Sequence, residues 1–124
     1  MQNLFKFDKL NFITAGMPIR TGKGSYPQAF DVLKEMNLDG MELEFVHGVR
    51  MSDDNRIFVK EMAKNFVITA HGPFYINLNS KEEEKIEASV QRIIDTAAVA
   101  AQAGAFSITY HAAFYMGGDK ETVF

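Results

Sequence analysis

Two histidines carry the strongest chemical signal in this sequence. His71 ends an apolar, β-branched run, Phe66-Val67-Ile68-Thr69-Ala70, and a Gly72-Pro73 turn follows it. One strand–helix unit later, Phe106 to Tyr110 reads as another strand, with His111 at its end. In parallel α/β folds, active sites gather at the carboxyl ends of strands, and neighbouring strands lie about 4.8 Å apart. Two imidazoles projecting from adjacent strands can therefore share one metal ion or a bridged pair. The same spacing also suits hydrogen-bonded structural histidines, and at this level both readings stand. His47, just past a strand end and beside Gly48, fits a solvent-facing loop histidine better than a ligand. The sequence has no cysteine, so there is no disulfide framework and any metal must be held by His, Asp or Glu.

The elements that would position these residues alternate regularly. Leu10 to Ala15 is the first expected strand, broken by Gly16-Met17-Pro18. Ser25 caps a helix with Pro27 in its first turn, and Ala29, Phe30, Leu33 and Met36 recur at helical spacing as its buried stripe. Met41 to Val46 is a second strand. It places Glu42 and Glu44 on one face, either as a solvated or barrel-interior polar layer or as functional groups. Ser52 caps a second helix, with Asp53 and Asp54 in the first turn where the helix dipole favours them, and Ile57, Phe58, Met62 and Ala63 inward. Phe66 to Ala70 is the third strand. Exposed-looking aromatics, Phe74 and Tyr75, follow it, and then Asn77. Ser80-Lys81-Glu82-Glu83 reads as a capping box that opens a helix running to about Ala103. Its expected apolar stripe is Ile86, Val90, Ile93, Ile94, Ala97 and Ala101, and Gly104 stops it.

This β-α-β-α-β-α-β order implies an α/β fold with a parallel sheet and right-handed crossovers. A complete (β/α)8 barrel takes about 250 residues. The expectation for these 124 residues is one domain: the amino-terminal half of such a TIM barrel, a fragment cut after the fourth strand as Gly117 to Phe124 opens a fourth helix. An open doubly wound sheet is the other architecture the alternation allows.

Composition sets outer limits. A hydrophobic fraction of 47% with 23% charged residues is ordinary for a globular chain, and no apolar run approaches the roughly 18 residues of a membrane span. The start, MQNLFKFDKLNF, lacks an apolar core and a cleavage site, so no signal peptide and a cytoplasmic location are expected. A net charge of −3 does not advertise nucleic acid, although 13 Lys and Arg residues are enough for a local basic patch. Nucleophilic catalysis has no support, since no G-x-S-x-G elbow is present. Gly22-Lys23-Gly24-Ser25 lacks the spacing of a phosphate loop.

From ITAGMP through DGMELEFVHGVRMS and HGPFYINLNSKEEEKIEASVQRIIDTA to the Gly104–His111 segment, the chain resembles the endonuclease IV family of apurinic/apyrimidinic endonucleases, most closely its archaeal branch. The resemblance spans nearly the whole chain, and HGPFYINL is its most specific part. It implies a xylose isomerase-like TIM barrel that carries up to three zinc ions and cuts damaged double-stranded DNA on the 5′ side of an abasic site. It further implies that His71 and His111 are zinc ligands, that Phe74 and Tyr75 press into the DNA, and that the loop from His47 to Arg50 contacts it. Glu44 and Asn77 would line the site, and no catalytic residue is assigned. Ala112-Ala113 replaces the family's usual proline-glycine after the fourth-strand histidine, and His47 stands where a longer cation is common. The later-strand ligands have no counterpart here, so the 124-residue chain alone is expected to be inactive. Two rivals accompany this expectation. One is a metal-dependent sugar isomerase or epimerase of the same barrel superfamily. The other is a non-catalytic half-barrel that forms a homo-oligomer through its exposed sheet edges.

Overall fold

The computed structural model describes residues 9–123. The lead-in from Met1 to Asp8, on which the signal-peptide expectation rests, lies outside the described residues, as does Phe124. The element order is β1 (Ile13–Ala15), a 3-10 turn (Ile19–Thr21), α1 (Tyr26–Glu35), β2 (Gly40–Glu44), α2 (Asp53–Met62), β3 (Val67–His71), α3 (Glu83–Gln102), β4 (Ile108–Thr109) and α4 (Lys120–Val123). The four strands form one parallel sheet in the order β1-β2-β3-β4. Sequential parallel order with a helix in each crossover is the arrangement of consecutive units in a (β/α)8 barrel, and an open sheet whose strand order reverses is excluded for these strands.

Alternation along the strands sorts the sheet into two faces. Met41, Leu43, Ile68 and Ala70 are buried, and they pack with Ala29, Phe30 and Leu33 of α1, Val59 of α2 and Ala100 of α3. Residues in parallel register point to the same side. Ala15, Glu42 and Thr69 therefore share the opposite face, as do Glu44, His71 and Thr109 one step further toward the strands' carboxyl ends. Phe30 meets Phe58 and Phe66 edge-on, with ring centroids 5.9 and 5.1 Å apart, and so ties α1 to α2 and to the lead into β3.

The caps at Ser25 and Ser52 are formed. The Gln28 side chain accepts from the Ser25 N–H at 2.8 Å, and Ser52 Oγ accepts from the Asn55 N–H at 3.3 Å. The third helix starts later than the capping-box pattern implies. Glu82 is its N-cap residue, and Ser80 Oγ accepts from the Glu82 N–H in the turn before it. Strand ends also differ. β1 begins at Ile13 because the backbone and carboxylate of Asp39 engage Phe12, and β4 keeps only two of the five expected residues. β2 closes at Glu44, where the Phe45 N–H makes one last bond to the His71 carbonyl before the chain turns at Gly48. β3 extends one residue further than expected, so His71 stands within the ladder.

Burial on the helices departs further from expectation. Met36, Ile57, Val90 and Ile94 are exposed, whereas Val59, Ser89 and Thr96 are buried. Ser89 and Thr96 donate to the carbonyls of Lys85 and Arg92 one turn earlier, at 2.7 and 2.6 Å. Their hydroxyls are thereby satisfied within the helix, and the rest of each side chain packs as a small apolar group. Gly104 has φ +79°, and a Cβ there would also lie 2.8 Å from Ala63 Cβ, so both the helix stop and the approach of α3 to α2 require glycine.

Asp39 fastens the entry to β1. Its carboxylate accepts from Lys9 Nζ at 2.8 Å and from the Phe12 N–H at 2.8 Å. The Lys9 hydrogen bond first, and that from Phe12 second, hold its carboxyl below the ordinary 3.8. A carboxyl lowered in the folded state stabilises above its unfolded value, and that contribution is lost as pH falls through the folded one. Acidification to below pH 3.8 should therefore strip protection from the Phe12 amide before the β2 amides respond. The pH step should vanish in Asp39→Ala. Equal loss at Phe12 and Leu43, measured by hydrogen exchange, would refute the local role.

Candidate functional site

His71, the last residue of β3, and His111, two residues past β4, come close together at the carboxyl end of the sheet. Their ring centroids are 5.3 Å apart and the ring planes are inclined by 50°. His71 is half-buried and its Nδ1 lies 2.8 Å from the Gly72 carbonyl oxygen. A carbonyl only accepts, so Nδ1 is the donor, and in the neutral ring the lone pair is on Nε2. Fixing one nitrogen by a carbonyl so that the other can bind is the usual arrangement behind a metal-ligating histidine. His111 is exposed.

Glu44 is the register partner of His71, yet it lies toward β1, its Cγ 3.0 Å from where a Cβ on Gly16 would stand. With Gly16, Met17, Tyr26 and Glu42 it borders a cavity of about 160 Å³. Burial there raises the Tyr26 phenol above its ordinary 10.0. Glu42 accepts from Thr69 Oγ1 at 3.3 Å, so at least this carboxylate belongs to a polar layer across β2 and β3. Among the described residues, no group of three His, Asp or Glu side chains converges closely enough to hold a metal ion. A tetrahedral zinc site takes four donors, and a catalytic one three from the protein. Two neutral imidazoles suit zinc in kind and fall short of it in number. The pair fits part of a coordination sphere.

The loop after β3 carries an aromatic cluster. Phe74 and Tyr75 are 53% and 37% exposed and meet edge-on at 5.2 Å, and His47 meets Phe74 edge-on at 6.3 Å. The β2–α2 and β3–α3 loops thus bring together three of the four residues expected to touch DNA. Arg50 is exposed on the same loop as His47. Sequence reasoning missed Arg92, whose guanidinium carbon sits 4.6 Å from the centre of the Tyr75 ring. The signal was its spacing, since Ser89, Arg92 and Thr96 recur on one face of α3. Asn77 does not point at the histidines through open space; its side chain is hydrogen-bonded to the loop that follows β4.

Sequential parallel β/α units with polar and histidine side chains at the strands' carboxyl ends define a TIM-barrel protein. The chain belongs to the family described as the xylose isomerase-like TIM barrel, whose sequence pattern matches residues 30–124. It is also similar to a protein of Methanocaldococcus jannaschii named Uncharacterized protein MJ0133, with 44% identity over 115 residues. That match covers 93% of this chain and 41% of the relative, so the chain spans less than half of the relative's length.

Proposed function

We propose that His71 and His111 supply two ligands to a zinc site in an endonuclease IV-like hydrolase that acts on abasic DNA, the site being completed by donors beyond these residues. The observation that carries this reading is the pairing of two imidazoles across β3 and β4, with the Nδ1 of His71 engaged and its Nε2 left free. When bound, zinc in such a site activates water and neutralises phosphate oxygens. The chain's own residues have other tasks. Phe74 and Tyr75 offer an apolar wedge that would enter a duplex where stacking is already weakened. Arg92 lies over the Tyr75 ring, and Arg50 offers a cation to a phosphate. With only two ligands in place, the 124-residue chain alone should show little or no incision.

The polar layer of Glu42 and Thr69 beside a cavity of about 160 Å³ supports a second reading, a metal-dependent sugar isomerase or epimerase. Binding separates the two. A fluorescent duplex with one abasic site should bind more tightly than the intact duplex, and Phe74→Ala should remove most of that preference. Equal affinity for both duplexes, together with saturable binding of a pentose or hexose, would reject the nuclease reading in favour of the second.

A further inference from the structure

The ladder between β3 and β4 ends before it reaches His111. Its last register pair is His71 with Thr109, and the Gly72 N–H donates to the Thr109 carbonyl at 2.8 Å. From Tyr110 to Tyr115 the chain is irregular, so the sheet does not place His111. The loop after β3 does. The Leu78 N–H donates to the carbonyl of Ala112, the residue after His111, at 2.8 Å. Asn77 Oδ1 accepts from the Phe114 N–H at 3.1 Å and from the Asn79 N–H at 3.2 Å. Asn77 Nδ2 lies 3.5 Å from Met116 Sδ, and Asn79 Nδ2 donates to the Phe114 carbonyl at 2.9 Å. The other end of this connection is rigid. The Asn77 N–H donates at 3.0 Å to Oγ of Ser89, which is 1% exposed and itself bonded to the Lys85 carbonyl in α3.

We infer that Asn77 is a positioning residue for the histidine pair: its carboxamide oxygen, seconded by Asn79, holds the segment after His111 so that the two imidazoles stay close together. The oxygen is the part that matters, because one acceptor satisfies two backbone donors on two different loops. An aspartate keeps that acceptor, whereas an alanine leaves the N–H groups of Phe114 and Asn79 without it. The inference rests on the zinc reading only for its second readout.

The test uses the full chain, first free of metal and then titrated with zinc. A nuclear Overhauser cross-peak between ring protons of His71 and His111 should be present in the parent. Asn77→Ala should lose it while the amide shifts of β1 to β3 stay in place, and zinc affinity should fall by about 10–100-fold, as for other groups that orient a ligand. Asn77→Asp should restore both. If Asn77→Ala does not fold, Asn79→Ala decides, with a weakened cross-peak expected. An undiminished cross-peak in the folded alanine variants, or an aspartate variant as disturbed as the alanine one, would overturn the positioning role. A parent chain that binds no zinc would show that the pair holds no ion without further donors, and the cross-peak comparison would still decide the inference.

Discussion

The His71→Ala/His111→Ala double variant is expected to lose the zinc affinity that the proposed site would give the chain, and each single variant is expected to lose nearly as much. Two ligands on one ion act as a unit, because removing either abolishes chelation and leaves a lone imidazole that competes poorly with water. Their effects should therefore be far from additive. A loss of at least about tenfold in each single variant is the conservative expectation, since even groups that only orient a ligand cost that much. Elemental analysis of protein purified without chelator or affinity tag, followed by titration of zinc into the apo chain, gives the measurement. Acid should release the metal from the parent, because a proton and the ion compete for the same nitrogen lone pair. Additive single-variant losses would show that the two side chains do not act on one ion as a unit, and zinc retained by the double variant would place the metal elsewhere and leave the pair a structural contact.

The second large effect concerns stability. Gly40→Ala is expected to cost about 4 kcal/mol or more, or to prevent folding, which puts it among the rare severe substitutions. Gly40 is in register with Ile13 on one side and Val67 on the other, at the start of the central ladder. A Cβ there would overlap the Val67 carbonyl oxygen and stand 2.6 Å from its carbon and 2.9 Å from the Val67 nitrogen. All three are backbone atoms of the neighbouring strand, so no rotamer change relieves the overlap; β2 and β3 would have to separate. Trimming the neighbour should not help, and Gly40→Ala/Val67→Ala should be no more stable than Gly40→Ala. Thermal unfolding followed by circular dichroism is sufficient, with a fall in Tm of at least about 10 °C expected. A variant that melts within a few degrees of the parent would show that the ladder can yield here.

The contrast between His71 and Asn77 shows what the sequence made legible. His71 stood out because a β-branched run and a Gly-Pro turn mark a strand end locally, and because parallel α/β folds put chemistry at that end. The helix caps at Ser25 and Ser52 were legible for the same reason, each being settled within one turn. Asn77 could not be read this way: one of its partners, Phe114, lies on another loop, and nothing near Asn77 in the sequence announces it. Helix burial failed through chemistry rather than distance. Hydropathy ranks Val90 and Ile94 above Ser89 and Thr96, but a hydroxyl bonded to its own helix costs little to bury. The facing direction of α3 was therefore misjudged although its existence was plain. Glu42 and Glu44 remained ambiguous in the alternation pattern because a barrel's inner face and its solvent face both accept carboxylates.

The strand order has a kinetic consequence. Every ladder joins neighbours in sequence, and even the most distant register pairings, Ala70 with Ile108 and His71 with Thr109, close a single strand–helix unit. Each closure still spans 27 to 38 residues, so loop entropy is paid before any ladder rewards it and parallel pairing of this kind is slow, but the sheet can grow outward one unit at a time. β2 with β3, sharing five register pairs, is the natural nucleus, and β4, with two, is the last strand to join and the first to leave. His111 therefore sits beyond the most labile ladder and His71 within the most durable one. A ligand gripped by both would act as a brace across that seam, and its binding free energy would appear chiefly as slower opening of the outermost unit.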